Sequence, residues 1–211
     1  MAEASDDVWA DVAAEREELA DLLDALTPEQ WDAPSLCAEW RVRDVVGHLV
    51  EGTNPTSLGR IMFGIAKHRF SVNKMIASDA KALGAKPTAE IVTQLRANVG
   101  ARVLPPLTKP IAMLADTLIH HQDIRRPLEK PRKIPTDRLV LVLDQMAPQS
   151  AVVGNKRRIK GLTLVAIDMD WRHGTGPEVR GMGEALLMAM CGRAVGADEL
   201  GGEGVEILRS R

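Results

Sequence analysis

The chain has 211 residues, 45% of them hydrophobic and 27% charged, with a formal net charge of -2, the balance of a globular protein long enough for a proper core. So small a charge gives no general attraction to nucleic acid or to anionic lipid, and no run of roughly eighteen apolar residues is present to span a membrane. The two cysteines, Cys37 and Cys191, form neither a CxxC pair nor a disulfide framework, and the N-terminus has no secretory pattern, so a cytoplasmic location is expected.

In chain order, Ser5 with Asp6 and Asp7 reads as a helix start, and Val8, Val12, Leu19, Leu22, Leu23 and Leu26 form an apolar stripe behind it. Thr27, Pro28 and Gln30 make a capping-box pattern that opens a short turn carrying Trp31. Pro34 and Ser35 interrupt the period, and a helix then runs from about Arg41 to Glu51 with His48 on it. A longer helix is predicted over 57–83, closed by Gly84 and Pro87, and a further one from Thr88 to Val99. After the breaking sequence VLPPLTKP, Thr108 is expected to cap a helix that has Pro110 in its first turn and stops before Pro127. A Pro- and Lys-rich connector leads to a helix over 136–146.

From about residue 150 the pattern changes. Val165, Ile167, Met169 and Trp171 alternate with Ala166, Asp168, Asp170 and Arg172, the period of a half-buried strand. Glycines 174, 176 and 181 mark turns, MGEALLMAMCGRA reads as a helix and GVEIL as a closing strand. The expected organisation is mainly α: a helical bundle over 1–149 and a small α/β domain over 150–211.

Three residues carry the chemical interest. Asp116 and His120 are four apart, so they share one helix face. If the helix bearing His48 packs on that face, two imidazoles and a carboxylate converge, a set suited to zinc or another first-row divalent ion with a position left for water or substrate. On the residues alone the plainer alternatives stand beside this. His48 reads as a core histidine bonded to Asp44, and Asp116–His120 as a surface pair worth about 0.3 kcal/mol. Asp123 either orients a ligand histidine or pairs with Arg126, and His121 points about 100° away from His120. Trp31 and Trp40 read as packing anchors, Cys37 as a small buried residue near the site, and His68 and His173 as surface residues. The glycines of GTGPEVRG lack phosphate-loop spacing.

LTPEQWDAPSLCAEWRVRDVVGHLVEG, DTLIHHQDIRRPL and WRHGTGPEVRGMGEALLMAMCGR, in that order, resemble the DinB-like helical bundles of the mycothiol-dependent maleylpyruvate isomerase family. The resemblance implies a DinB-like four-helix bundle that holds a divalent metal, usually zinc, through His48, Asp116 and His120, followed by a small α/β C-terminal domain. It implies use of mycothiol as a thiol cosubstrate, with isomerase or S-transferase chemistry on small electrophiles and Arg193 binding substrate carboxylates. One departure stands out: Asp116 occupies a position that is more commonly Glu. The partners implied are therefore a small electrophile and a low-molecular-weight thiol, with no nucleic acid or membrane and with homodimerisation left open. The alternatives are a non-catalytic metal- or ligand-binding protein of the same fold, and a binding module in which the C-terminal domain takes a hydrophobic small molecule.

Overall fold

The structure is a computed structural model that describes residues 2–55, 57–105, 108–148 and 155–211. Two compact units divide the chain, Met1–Pro131 and Arg132–Arg211. The first contains α1 (Ala2–Asp24), α2 (Pro28–Asp32), α3 (Val42–Glu51), α4 (Leu58–Lys67), α5 (Val72–Gly84), α6 (Thr88–Ala97) and α7 (Pro110–Arg125). The second contains α8 (Thr136–Met146), α9 (Asn155–Ile159), β1 (Thr163–Ala166), β2 (Arg172–Gly174), β3 (Glu178–Gly181), α10 (Gly183–Met190), α11 (Ala194–Asp198) and α12 (Val205–Arg209). The boundary expected at 149/150 lies outside the described residues. Helix α8, read from sequence as part of the bundle, packs against α10 within the second unit.

In the first unit α1, α3, α6 and α7 pack around one core built from Leu19, Leu23, Val45, Val46, Leu49, Ile91, Leu95 and Ile124, with α5 laid along α3. The α1 stripe faces that core as its spacing requires, although the helix is already formed at Ala2, ahead of Ser5. The capping box is present: Gln30 N donates to Thr27 Oγ1 at 3.3 Å and Thr27 N to Gln30 Oε1 at 3.0 Å.

Helix α7 differs from its neighbours in being buried almost all round, through Met113, Leu114, Ala115, Thr117, Leu118, Ile119, His121, Gln122, Asp123 and Ile124. Ala112, Asp116 and His120 form its half-exposed line at four-residue spacing. Thr108 does not cap this helix; Lys109 is its N-cap residue without a side-chain bond, and Thr108 Oγ1 donates to Pro105 O at 2.7 Å instead.

Three predicted elements take another form. The helix expected over 57–83 is broken into α4 and α5 by Arg69 and Phe70, both at positive φ (54° and 62°), after which Ser71 Oγ caps α5 by accepting from Lys74 N. The long strand expected through Trp171 stops at Ala166. Ile167 is 63% exposed, Asp168 Oδ1 accepts from Gly183 N at 2.8 Å, and the chain turns back so that β2 pairs antiparallel with β1. Strand β3 pairs parallel with β1, giving the order β2-β1-β3. The closing GVEIL segment is α12, because Val205 and Leu208, three residues apart, are the pair it buries.

The register of α3 is set by a close helix crossing. A Cβ at Gly47 would lie 2.4 Å from Ala80 O and 2.8 Å from Gly84 N, and one at Gly84 would lie 2.8 Å from Arg43 O. Two glycines thus let the α3 and α5 backbones touch, one residue before His48. Gly47→Ala is expected to lower stability by about 1–3 kcal/mol despite alanine's better helix propensity. Gly59→Ala, where a Cβ meets nothing within 4 Å, is expected to raise it by about 0.5–1 kcal/mol; urea denaturation of the two variants measures both.

Candidate metal centre

Because α3 packs on α7, the three residues singled out by spacing come together. His48 Nε2 lies 3.4 Å from Asp116 Oδ1, and His120 Nε2 lies 3.6 Å from the same oxygen. Donor atoms of all three fall within 4.8 Å of one another, and the two imidazoles meet edge to face with centroids 4.9 Å apart. Ligands bound tetrahedrally at 2.0–2.2 Å stand roughly 3.3–3.6 Å apart, so the Asp116–histidine separations already match that geometry. Asp116 reaches both imidazoles directly.

The alternative partner for His48 is otherwise engaged. Asp44 Oδ2 accepts from Arg41 N and Nε at 3.0 and 3.1 Å, which closes the N-terminus of α3. Trp40 stands beside both histidines, its ring 5.5 Å from that of His48 and 6.3 Å from that of His120. Trp31, by contrast, is a core residue.

Behind the triad lies a layer of partners that spacing did not identify as a unit. His120 Nδ1 donates to Asp123 Oδ2 at 2.9 Å, and the Cys37 thiol donates to the same oxygen at 3.0 Å. The loop carrying Cys37 is tied to α7 by Leu36 N donating to Asp123 O at 3.0 Å. On the far side of α7, Arg125 Nε donates to His121 Nε2 at 2.8 Å, so the His121 proton sits on Nδ1 and is given to Glu15 Oε2 at 3.2 Å. His121 and Glu15 are fully buried, and His121 stands apart from the triad as the helix geometry required.

Arg16, also buried, donates through Nη1 to Val99 O and Ala101 O at 3.2 and 2.7 Å, and its charge acts on Asp116. Sequence reading passed over Glu15 and Arg16, yet a signal was there: they lie three and four residues after Val12 and four and three before Leu19, inside the apolar stripe. A charge in that register is buried and must be partnered.

Electrostatics in the metal-free centre follow from these contacts. Burial opposes the charged form of His48, but the Asp116 carboxylate outweighs it and raises the histidine above 6.5. Burial alone would push Asp116 up; the charges of His48, His120 and Arg16 outweigh it and bring the carboxyl from 3.8 down to about 2. The pairing therefore stabilises the metal-free fold fully below pH 6.5 and loses that contribution as pH rises through the raised His48 value. On the acid side Asp116 contributes above 3.8 and loses its contribution as pH falls through about 2.

In the second unit Arg193 follows the C-cap of α10, and its Nη1 donates to Cys191 O at 2.9 Å. It lines a cavity of 160 Å³ with Arg158, Arg209, Asp198 and the backbone around Gly192. Gly192 has φ 82°, and a Cβ there would sit 2.7 Å from Arg158 Nη2, so glycine lets that guanidinium approach.

Residues 12–97 match the family model of the mycothiol maleylpyruvate isomerase N-terminal domain. That stretch of the chain is similar to the family. It contains His48, while Asp116 and His120 lie beyond the matched span. Among solved structures the chain is similar to a histidine-to-alanine mutant of the mycothiol-dependent maleylpyruvate isomerase (TM-score 0.61, 13% identity, covering 94% of this chain and 92% of that one). A second structure of that isomerase is similar at TM-score 0.59 and 12% identity with the same coverage. At such identities the likeness is one of fold, and it agrees with the mainly α architecture and small sheet described above. No curated protein matches the chain.

Asp116→Asn is expected to drop the His48 pKa below 6.5, since burial is then the dominant influence left. Histidine C–H resonances followed by NMR across pH 5–9 in the metal-free protein measure this. A His48 midpoint left where it stands in the unsubstituted protein would contradict the pairing.

Proposed function

We propose that the protein is a metal-dependent enzyme of the maleylpyruvate isomerase type, which uses a low-molecular-weight thiol such as mycothiol on small electrophilic substrates as isomerase or S-transferase. The observation that carries this reading is the convergence of the His48 and His120 nitrogens on one Asp116 oxygen at separations suited to a four-coordinate divalent ion. The family match over residues 12–97 supports it.

His48, Asp116 and His120 would hold the ion, with zinc the natural occupant of an N/N/O set. When bound, it favours the thiolate form of a thiol that takes the remaining position. Trp40 shields one side of the imidazole pair from water. The sulfur of such a thiolate would add to an electrophilic carbon, and the π pair of the activated double bond would move toward the adjacent carbonyl. Rotation about the new single bond and expulsion of the thiolate give cis–trans isomerisation. Protonation of the adduct instead gives an S-conjugate.

Arg193 is assigned to a substrate carboxylate; it lines a cavity with Arg158, Arg209 and Asp198, the last two being ion-paired at 3.3 Å. Arg193→Ala is expected to raise KM for an anionic electrophile by about 10–100-fold, the loss of one hydrogen-bonded charge contact, with the metal content unchanged. An unchanged KM and kcat would remove Arg193 from this role.

Protein purified without a tag is expected to carry a first-row divalent metal near one equivalent, and His48→Ala and His120→Ala are expected to lose it. Substoichiometric metal that His48→Ala does not reduce would overturn the reading. Thiol consumption with activated alkenes, epoxides and halides is the activity test. Metal bound without turnover of any of them would make the protein a binder of the same fold.

A further inference from the structure

We propose that Cys37 is a positioning residue of the centre, acting through Asp123 on His120. Its thiol and the His120 Nδ1–H converge on one buried carboxylate oxygen, which turns the His120 Nε2 lone pair toward Asp116 and His48. The proposal deepens the metal reading of the site, but its geometry stands in the metal-free protein.

The Asp123 side chain is fully buried, and an ionised carboxylate only accepts. Its Oδ2 lies 2.9 Å from His120 Nδ1 and 3.0 Å from Cys37 Sγ, while Sγ and Nδ1 are 3.5 Å apart. One carboxylate oxygen has two lone pairs, so it takes both donors at once. With Nδ1–H given to Asp123, Nε2 is the nitrogen left for the centre, and it is the atom that faces Asp116.

Cys37 is held in register by its own loop. Cys37 N donates to Ser35 Oγ at 3.1 Å, Ser35 Oγ donates to Trp40 O at 2.9 Å, and Leu36 N is fastened to Asp123 O. The same loop therefore delivers a thiol to Asp123 and a tryptophan ring to the two histidines. Fixing a metal-binding imidazole through a carboxylate is a general device; here a thiol fixes the carboxylate in turn.

Cys37, His120 and Asp123 also form a ligand-type set with donor atoms within 4.8 Å. The two contacts to Asp123 have hydrogen-bond lengths, shorter than the 3.4 and 3.6 Å of the His48–Asp116–His120 group. The Cys37 group is closed around protons, and the other is open to a cation.

Two measurements test this on Cys37→Ala, Cys37→Ser and Asp123→Asn. In metal-free protein, ¹⁵N NMR of labelled histidine is expected to show His120 protonated on Nδ1, with Nε2–H gaining population in Asp123→Asn and, to a smaller extent, in Cys37→Ala. In competition with a chromophoric chelator, cobalt(II) affinity is expected to fall about tenfold in Cys37→Ala, at the lower end for a residue behind a ligand. Cys37→Ser, which keeps a donor, is expected to stay near the unsubstituted protein. Adding Cys37→Ala to Asp123→Asn is expected to weaken affinity no further.

An Nε2-protonated His120 in the unsubstituted metal-free protein overturns the proposal. So does a Cys37→Ala variant unchanged in both measurements, or a second equivalent of cobalt with sulfur-to-cobalt charge-transfer absorption that Cys37→Ser abolishes. If the unsubstituted protein binds no cobalt while the tautomer and its shift in Cys37→Ala are as expected, the positioning role stands and the metal reading falls.

Discussion

The first unit is organised around the burial of α7. A helix enclosed on nearly every side leaves no polar side chain free to seek water, so each one must find a partner in a neighbouring element. Thr117 returns its hydroxyl to Met113 O, His121 is satisfied between Glu15 and Arg125, and Asp123 accepts from His120 and Cys37. Between its two ends, the line through Ala112, Asp116 and His120 is left half open.

The partners come from three places, which ties the site to the packing of the whole unit. Helix α3 supplies His48 to α7, while Gly47 and Gly84 let the backbones of α3 and α5 touch beside it. The loop before α3 supplies Cys37 and Trp40, and α1 supplies Glu15 and Arg16. Asp116 is thereby surrounded by two imidazoles and a guanidinium, which keeps its carboxylate charged far into acid. On the proposed reading a divalent cation would take the place of the imidazole protons that hold this carboxylate charged, so that its binding would release protons.

Around this centre the chain keeps a recognised fold while differing widely in sequence. Residues 12–97 match the family model, and the whole chain follows the fold of the mycothiol-dependent maleylpyruvate isomerase at about an eighth of identical positions. Such divergence is tolerated because a helical bundle asks mainly for apolar spacing at core positions. The polar contacts at the centre are few and local, and Asp116 is approached directly by both histidines.

Local pattern in the sequence determined the helices of the first unit apart from the division of 57–83, the capping box at Thr27, and the placement of Asp116 and His120 on one face, since each depends on residues within a turn or two of one another. The break at Arg69 and Phe70 was hidden because neither residue is a customary breaker and the apolar period runs on through them. Long-range geometry was decided by the tertiary structure alone. It decided between Asp44 and Asp116 as the partner of His48, made Cys37 a donor on Asp123, folded 163–174 into two strands, and placed α8 in the second unit. Hydrogen bonds between residues some seventy to ninety positions apart leave no periodic trace along a chain. They exist only once helices have packed and buried polar atoms have run out of water.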